Sequence, residues 1–335
     1  MNHLLLCCAL LWCCPVYLLG QKPLQRIDDF GDNPRGLRMY VHAPKSAKPG
    51  MPLVVVMHGC IQNAKQCARL TDWNKLADEN GFVVVYPQQP LKNNPVRCFN
   101  WYTENNQQRD KGEPRSIRSM VDYAIAHYGI DTQKIYVTGL SAGAAMTTTM
   151  LALYPDLFKA GAVFSGGAYA SASNFFLGGL AMRGWIIRGA DNLGNKVRNA
   201  YPGYAGPYPT VSVFHGKADV VVNRRNAGEI IKQWTNLYGG DNKADSTVLR
   251  FQNNKRIRLY LYKGADGEVA VQYFSIKGMG HAVATDPGKC PCNGGKRVPF
   301  SRDMNFFSTY YAADFFGLIT TLCTEQTSLK KNCNR

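Results

Sequence analysis

Past residue 20 the sequence has no long uncharged apolar run, no internal repeat, no Pro/Ser/Thr-rich linker and no Gly-x-Gly-x-x-Gly. These absences exclude a many-span membrane protein, a repeat array and the dinucleotide-binding fingerprint. Acidic residues are scarce as well, 23 Asp and Glu against 39 Lys and Arg, for a net charge of +16. Such an excess neutralises phosphates only when it is clustered. Here the basic residues are scattered, with small groups at Lys255, Arg256 and Arg258 and at Lys330 and Lys331, and no nucleic-acid motif is present. The expectation is a basic monomer attracted to anionic surfaces, without a nucleic-acid partner. Hydrophobic residues make up 45% of 335, ample for a buried core, and no composition shift divides the chain, so one α/β domain over 21–335 is the economical reading.

The single long apolar run, LLLCCALLWCCPVYLLG at residues 4–20, is followed by the polar QKPLQRIDD. It reads as a secretory signal over residues 1–20, with an uncleaved anchor as the alternative because the preceding residues carry little positive charge. Cleavage would leave no stable membrane insertion and a secreted protein, extracellular or periplasmic. Cysteines pair in that oxidising setting. Of 11 cysteines, four lie in the signal and seven remain: Cys60, Cys67, Cys98, Cys290, Cys292, Cys323 and Cys333. Seven is odd, so at least one is free or pairs outside the chain. Cys290 and Cys292, in KCPCN, have no His or second Cys-x-x-Cys nearby, which favours disulfide chemistry, and no metal is expected.

Hydrophobic patterning gives the fold class. RGLRMYVHAP alternates like an outer strand, whereas PLVVVMHGC and GFVVVYPQ are apolar on both faces, as central parallel strands are. Helical spacing over residues 71–80 separates those two strands, and IRSMVDYAIAHYGI is a helix leading to the strand KIYVTGLS. KAGAVFSGG and TVSVFHGKAD continue the rhythm, followed by an amphipathic helix over residues 227–237. Strand–helix alternation of this kind predicts an α/β-hydrolase-type fold, a mostly parallel doubly wound sheet with crossover helices. Residues 170–208 show no sustained period and are read as an irregular insertion or lid over the carboxyl edge of the sheet.

The chemistry centres on GLSAG. Ser141 lies between Gly139 and Gly143, with a strand before it and the helix-like AGAAMTTTMLALY after it. A sharp strand-to-helix turn lifts such a hydroxyl above the sheet, and flanking glycines relieve the crowding. A glycine-rich turn that cradles phosphate is the alternative, weakened by the missing dinucleotide pattern. A nucleophilic serine needs a base and an orienting acid, in the order serine, acid, histidine for this fold. His281, in KGMGHAV, is the histidine that follows the last strand, and Asp219, just past TVSVFHG, is the preferred acid over Asp191, Asp266 and Asp286. The oxyanion needs preorganised donors. Two backbone N–H groups are expected to supply them, from Ala142 after the serine and from Cys60 in MHGCIQ, where His58 and Gly59 shape the turn. Trp101 and Tyr102 of CFNWY are candidate substrate contacts, with core packing an equal alternative. None of this chemistry calls for a cofactor.

HGCIQNA, WNKLADENGFVVVYPQQ, CFNWY, GEPRSI, YGIDTQKIYVTGLSAGAAM, YPDLFKAGAVFSGGAY, HGKADVVV and GMGHAV, ending in FFSTYYAADFFGL, run in order through most of residues 35–318. In these stretches the chain resembles the secreted esterases of the poly(3-hydroxybutyrate) depolymerase family, relatives of feruloyl and acetylxylan esterases. The resemblance implies an α/β-hydrolase with nucleophile Ser141, acid Asp219 and base His281, and a disulfide between Cys60 and Cys98. Departures are an alanine where relatives commonly show a further glycine in GLSAGAAM, the 170–208 segment, the cysteine-bearing tail, and the lack of a separate polymer-binding module. The expected function is a serine esterase forming an acyl-enzyme, acting on poly(3-hydroxybutyrate) or its oligomers. The rival substrates are feruloyl or acetyl esters of plant polysaccharides. A non-catalytic hydrolase-fold protein that binds polymer or anionic surfaces is the reading from outside enzymology.

Overall fold

Four consecutive strands built from small and β-branched residues set the frame, and every one of their residues is buried. They are β3 (Leu53–Met57), β4 (Val83–Gln88), β5 (Ile135–Leu140) and β6 (Ala160–Phe164). Strands this uniformly apolar need cover on both faces. A computed structural model provides the coordinates and describes residues 24–288, 290 and 292–320. Residues 1–20, expected from the sequence to be a signal, and the tail residues Lys330, Lys331, Cys323 and Cys333 lie outside the described residues.

The other strands are β1 (Gln25–Ile27), β2 (Arg38–His42), β7 (Thr210–Gly216), β8 (Ser246–Val248), β9 (Ile257–Lys263), β10 (Val269–Ile276), β11 (Val283–Thr285) and β12 (Ser301–Asp303). Ten strands form one sheet in the order β1-β2-β4-β3-β5-β6-β7-β10-β9-β8, and β11 pairs with β12 separately. The run from β4 to β10 is parallel throughout, while the strands outside it pair antiparallel.

Alternate residues of one strand enter different cores, as the period of two requires. Leu53, Val55 and Met57 join one cluster, and Val54 and Val56 the other. Helices α3 (Gly112–Tyr128), α4 (Ala142–Leu153), α6 (Ala190–Ala200) and α7 (Arg225–Leu237) contribute to the first; α1 (Ala64–Thr71), α2 (Trp73–Asn80) and α8 (Ser308–Phe315) cover the second. Asn63 caps α1 by accepting from the Gln66 N–H at 2.9 Å. Among the described residues no helix is long and apolar enough to cross a membrane.

One expectation is corrected. The 170–208 segment is not irregular, because it carries α5 (Phe175–Met182), capped by Asn174, and α6. Neither announces itself in the sequence. FFLGGLAM is apolar almost all round, and α6 buries only Leu193, Gly194 and Val197, too few to sustain a visible period. Packing against α7 makes α6 a crossover helix of the sheet.

Candidate active site

Ser141 has φ 58° and ψ −118°, a left-handed φ that costs a non-glycine residue of order 1–3 kcal/mol. The turn it makes between β5 and α4 leaves no room beside it. A Cβ on Gly139 would lie 2.4 Å from the Gly143 carbonyl oxygen, and one on Gly143 would lie 2.5 Å from the carbonyl oxygens of Met57 and His58. Both glycines are therefore steric requirements, and the second presses the serine turn onto the end of β3. The Ser141 N–H is tied to the Phe164 carbonyl of β6 at 2.9 Å.

Two neighbouring strand ends bring up the acid and the histidine. The Ala218 N–H donates to the Met279 carbonyl at 3.0 Å and the Lys217 N–H to the Ile276 carbonyl at 2.9 Å, which stitches the loop after β7 to the loop after β10. Across that seam His281 Nδ1 donates to Asp219 Oδ2 at 2.8 Å. The other carboxylate oxygen, Oδ1, accepts from the N–H groups of Val221 at 3.0 Å and Val222 at 2.9 Å. Burial works to raise the Asp219 carboxyl, but the bond and charge of His281, the Val222 N–H and nearby His215 outweigh it and hold the carboxyl below its ordinary value. Asp191, Asp266 and Asp286 are engaged elsewhere: Asp191 Oδ1 accepts from Asn236, Asp266 Oδ1 takes a turn N–H from Glu268, and the Asp286 backbone bridges to Gly294.

At the end of β3, Cys60 is disulfide-bonded to Cys98. Neither the Cys60 N–H nor the Ala142 N–H is taken by another described residue. Beneath Cys60, the fully buried His58 holds the loop with both ring nitrogens. Nδ1 meets the Gly59 carbonyl at 2.7 Å and so carries the hydrogen, and Nε2 accepts from the Gln89 N–H at 3.1 Å. Burial pushes His58 down to about 4, with the Gly59 bond opposing and the charge of Arg97 assisting.

The segment from Gln89 to Glu113 supplies support that the sequence analysis missed. Glu113 is buried, and its carboxylate accepts from the Asn100 N–H at 2.8 Å, Asn100 Nδ2 at 2.7 Å and Gln89 Nε2 at 2.5 Å. Burial raises its carboxyl despite those bonds. Asn94 ties Asn100 to the backbone of Cys98, so the disulfide and CFNWY hang on one buried polar network. The unusual density of Asn and Gln in this stretch is the signal that was available. Of the two candidate substrate contacts, Trp101 is 4% exposed and lies within the first cluster, where it packs as a core residue. Tyr102 is half-buried, bonded to Asn100 Oδ1 at 3.1 Å, with its ring edge-on to Phe175. Cys290 and Cys292 are both disulfide-bonded, and Cys67 is a free, buried thiol.

Residues 37–256 match the family described as Esterase PHB depolymerase. The chain belongs to this esterase family. Poly(3-hydroxyalkanoate) depolymerase C of Paucimonas lemoignei is 38% identical over 317 residues, covering 93% of this esterase and 75% of that protein. Feruloyl esterase B of Talaromyces funiculosus is 33% identical over 285 residues, covering 83% and 78%. Among solved structures, the acetyl xylan esterase from Aspergillus awamori superimposes with a TM-score of 0.73 at 25% identity, covering 89% of this esterase and 100% of that chain. The fold is that of the α/β-hydrolase esterases, and the protein is a carboxylic ester hydrolase.

Proposed function

We propose that the protein is a secreted, monomeric serine esterase that cleaves poly(3-hydroxybutyrate) or its oligomers through an acyl-enzyme. Ser141 Oγ attacks the ester carbonyl while His281 Nε2 takes its proton. Asp219 holds the imidazole through Nδ1 and stabilises the imidazolium. The carbonyl oxygen, now an oxyanion, is received by the N–H groups of Cys60 and Ala142. Collapse of the tetrahedral intermediate expels the alcohol, which takes the proton back from His281, and water activated by the same histidine hydrolyses the acyl-enzyme. The observation that carries this reading is a strained serine turn walled by Gly139 and Gly143, at the same sheet edge as the 2.8 Å Asp219–His281 pair.

A polymeric apolar ester is favoured by the surface beside the site. Phe175 and Phe176 on α5 are 78% and 71% exposed, and Trp185 is 66% exposed. This helix touches Tyr102 through Phe175, and its Met182 carbonyl accepts from the Asn223 N–H and Asn226 Nδ2, just beyond the Asp219 turn. Ile61 and Val220, each next to a site residue, are exposed as well. Apolar groups grouped this way mark a contact surface. Secretion is supported by the Cys60–Cys98 disulfide. The second reading, cleavage of feruloyl or acetyl esters of plant polysaccharides, is favoured by the likeness to the feruloyl and acetyl xylan esterases.

The test is release of 3-hydroxybutyrate from amorphous polyester and oligomers, with feruloyl and acetyl-xylan esters in parallel and Ser141→Ala as control. Hydroxybutyrate release that disappears in the variant is the expected result. Release of ferulate or acetate alone moves the protein to the plant-ester reading, and no ester cleavage by folded protein overturns both.

A further inference from the structure

We infer that His215 is a positioning residue for Asp219, acting by clamping the turn that presents the carboxylate to His281. The inference rests on the reading of Asp219 and His281 given above.

His215 lies near the end of β7 and is fully buried. Its Nε2 is 2.8 Å from the Val222 carbonyl oxygen, so this nitrogen carries the hydrogen. The same nitrogen is 3.6 Å from Asp219 Oδ2. Val222 is in turn one of the two residues whose N–H groups hold Asp219 Oδ1. The chain of contacts runs through one residue: the imidazole fixes the Val222 carbonyl, the Val222 and Val221 N–H groups fix Oδ1, and Oδ2 is left bonded to His281 Nδ1.

Backbone bonds from Ala218 to Met279 and from Asn223 to Met182 anchor the two ends of the turn. Between them Val220 is 88% exposed and Val221 55%, so apolar packing grips the turn only at Val222. The ring, meanwhile, leaves Nδ1 buried without a hydrogen-bond partner. An unpaired acceptor in the interior costs stability, and an apolar residue of similar shape would avoid that cost. What histidine supplies and an apolar filler does not is a donor aimed at the Val222 carbonyl.

The charges around the ring agree with a neutral donor. Asp219 and His281 are the ionisable groups that act on it, and burial, with the charge of His281, lowers its pKa against the pull of the Val222 bond and Asp219. A neutral Nε2–H donor orients the turn without adding a second cation to the Asp219–His281 pair.

The test compares His215→Gln, whose amide nitrogen reaches where Nε2 lies, with His215→Phe, which fills space but cannot donate. Ser141→Ala is measured alongside. Hydrolysis of a soluble p-nitrophenyl ester gives kcat and KM, 13C NMR follows titration of the Asp219 carboxyl, and thermal melting reports folding. The expected result for His215→Phe is a kcat about 10- to 100-fold lower with KM unchanged, the scale of a misplaced catalytic group. Its Asp219 titration midpoint moves up, because the Val222 N–H that helps keep this carboxyl low is loosened. His215→Gln recovers most of the kcat. If His215→Phe does not fold, His215→Asn, polar but too short to reach Val222, takes its place with the same expectation. A folded His215→Phe with native kcat and native Asp219 titration overturns the inference, as does equal loss in the Gln and Phe variants. Ser141→Ala separates the two levels: if it is inactive while the His215 variants behave as wild type, only the positioning role falls; if it is active, the underlying reading falls and this role with it.

Discussion

A Cβ placed on Gly143 would stand 2.5 Å from the Met57 carbonyl oxygen, so the serine turn and the end of β3 are in backbone contact. Neither backbone can retreat without breaking the β3–β5 pairing that runs through Met57 and Gly139. Gly143→Ala is therefore expected to destabilise the protein by about 1–3 kcal/mol. It is also expected to lower kcat, because the Cys60 and Ala142 N–H groups are moved apart. Urea denaturation with ester kinetics checks this, and a fully active, equally stable variant would refute it.

The Cys60–Cys98 disulfide closes a loop with a sequence separation of 38. Replacing both cysteines by serine is expected to cost about 2–4 kcal/mol, and to weaken catalysis through the loosened Cys60 loop. Cys67 behaves differently. Burial pushes its thiol up to about 12, so it should resist alkylation in the folded protein and react only after denaturation. Peptide mapping of labelled thiols, with and without denaturant, distinguishes the two outcomes.

His58 makes stability pH-dependent in a defined window. Its folded pKa of about 4 lies below the ordinary 6.5, so the unfolded chain binds a proton that the folded protein excludes. Stability from this group is complete above pH 6.5, falls as the pH drops from about 6.5 to about 4, and levels off below; the loss is of order 3 kcal/mol. Urea midpoints measured across that range should show the slope in the native protein and a flatter one in His58→Gln. Equal slopes in both would assign the effect elsewhere.

Phe175 and Phe176 on α5, and Trp185 shortly after it, are exposed aromatics. Changing all three to serine is expected to reduce hydrolysis of solid amorphous polyester about tenfold or more, since each aromatic removed forfeits apolar contact area. Cleavage of a soluble short ester should remain. Parallel loss on both substrates would mean that the aromatics shape the catalytic centre instead of gripping polymer.

Much of this protein is determined by local sequence. β-branched runs such as LVVVM and VVVYPQ cannot be half-exposed and must be central strands, and a serine flanked by Gly139 and Gly143 between a strand and a helix has few conformations other than the tight turn observed. These features are legible because they depend on sterics and burial over a few neighbouring residues. Tertiary structure decided what meets what. Asp219 and His281 are 62 residues apart, and only the adjacency of β7 and β10 in the sheet selects that pair over three rival aspartates. The Glu113 network, the His215 clamp and the burial of Trp101 depend likewise on segments distant in sequence. No local period encodes such contacts, because each is set by the order in which the strands assemble and by the buried polar groups that must find partners once they have.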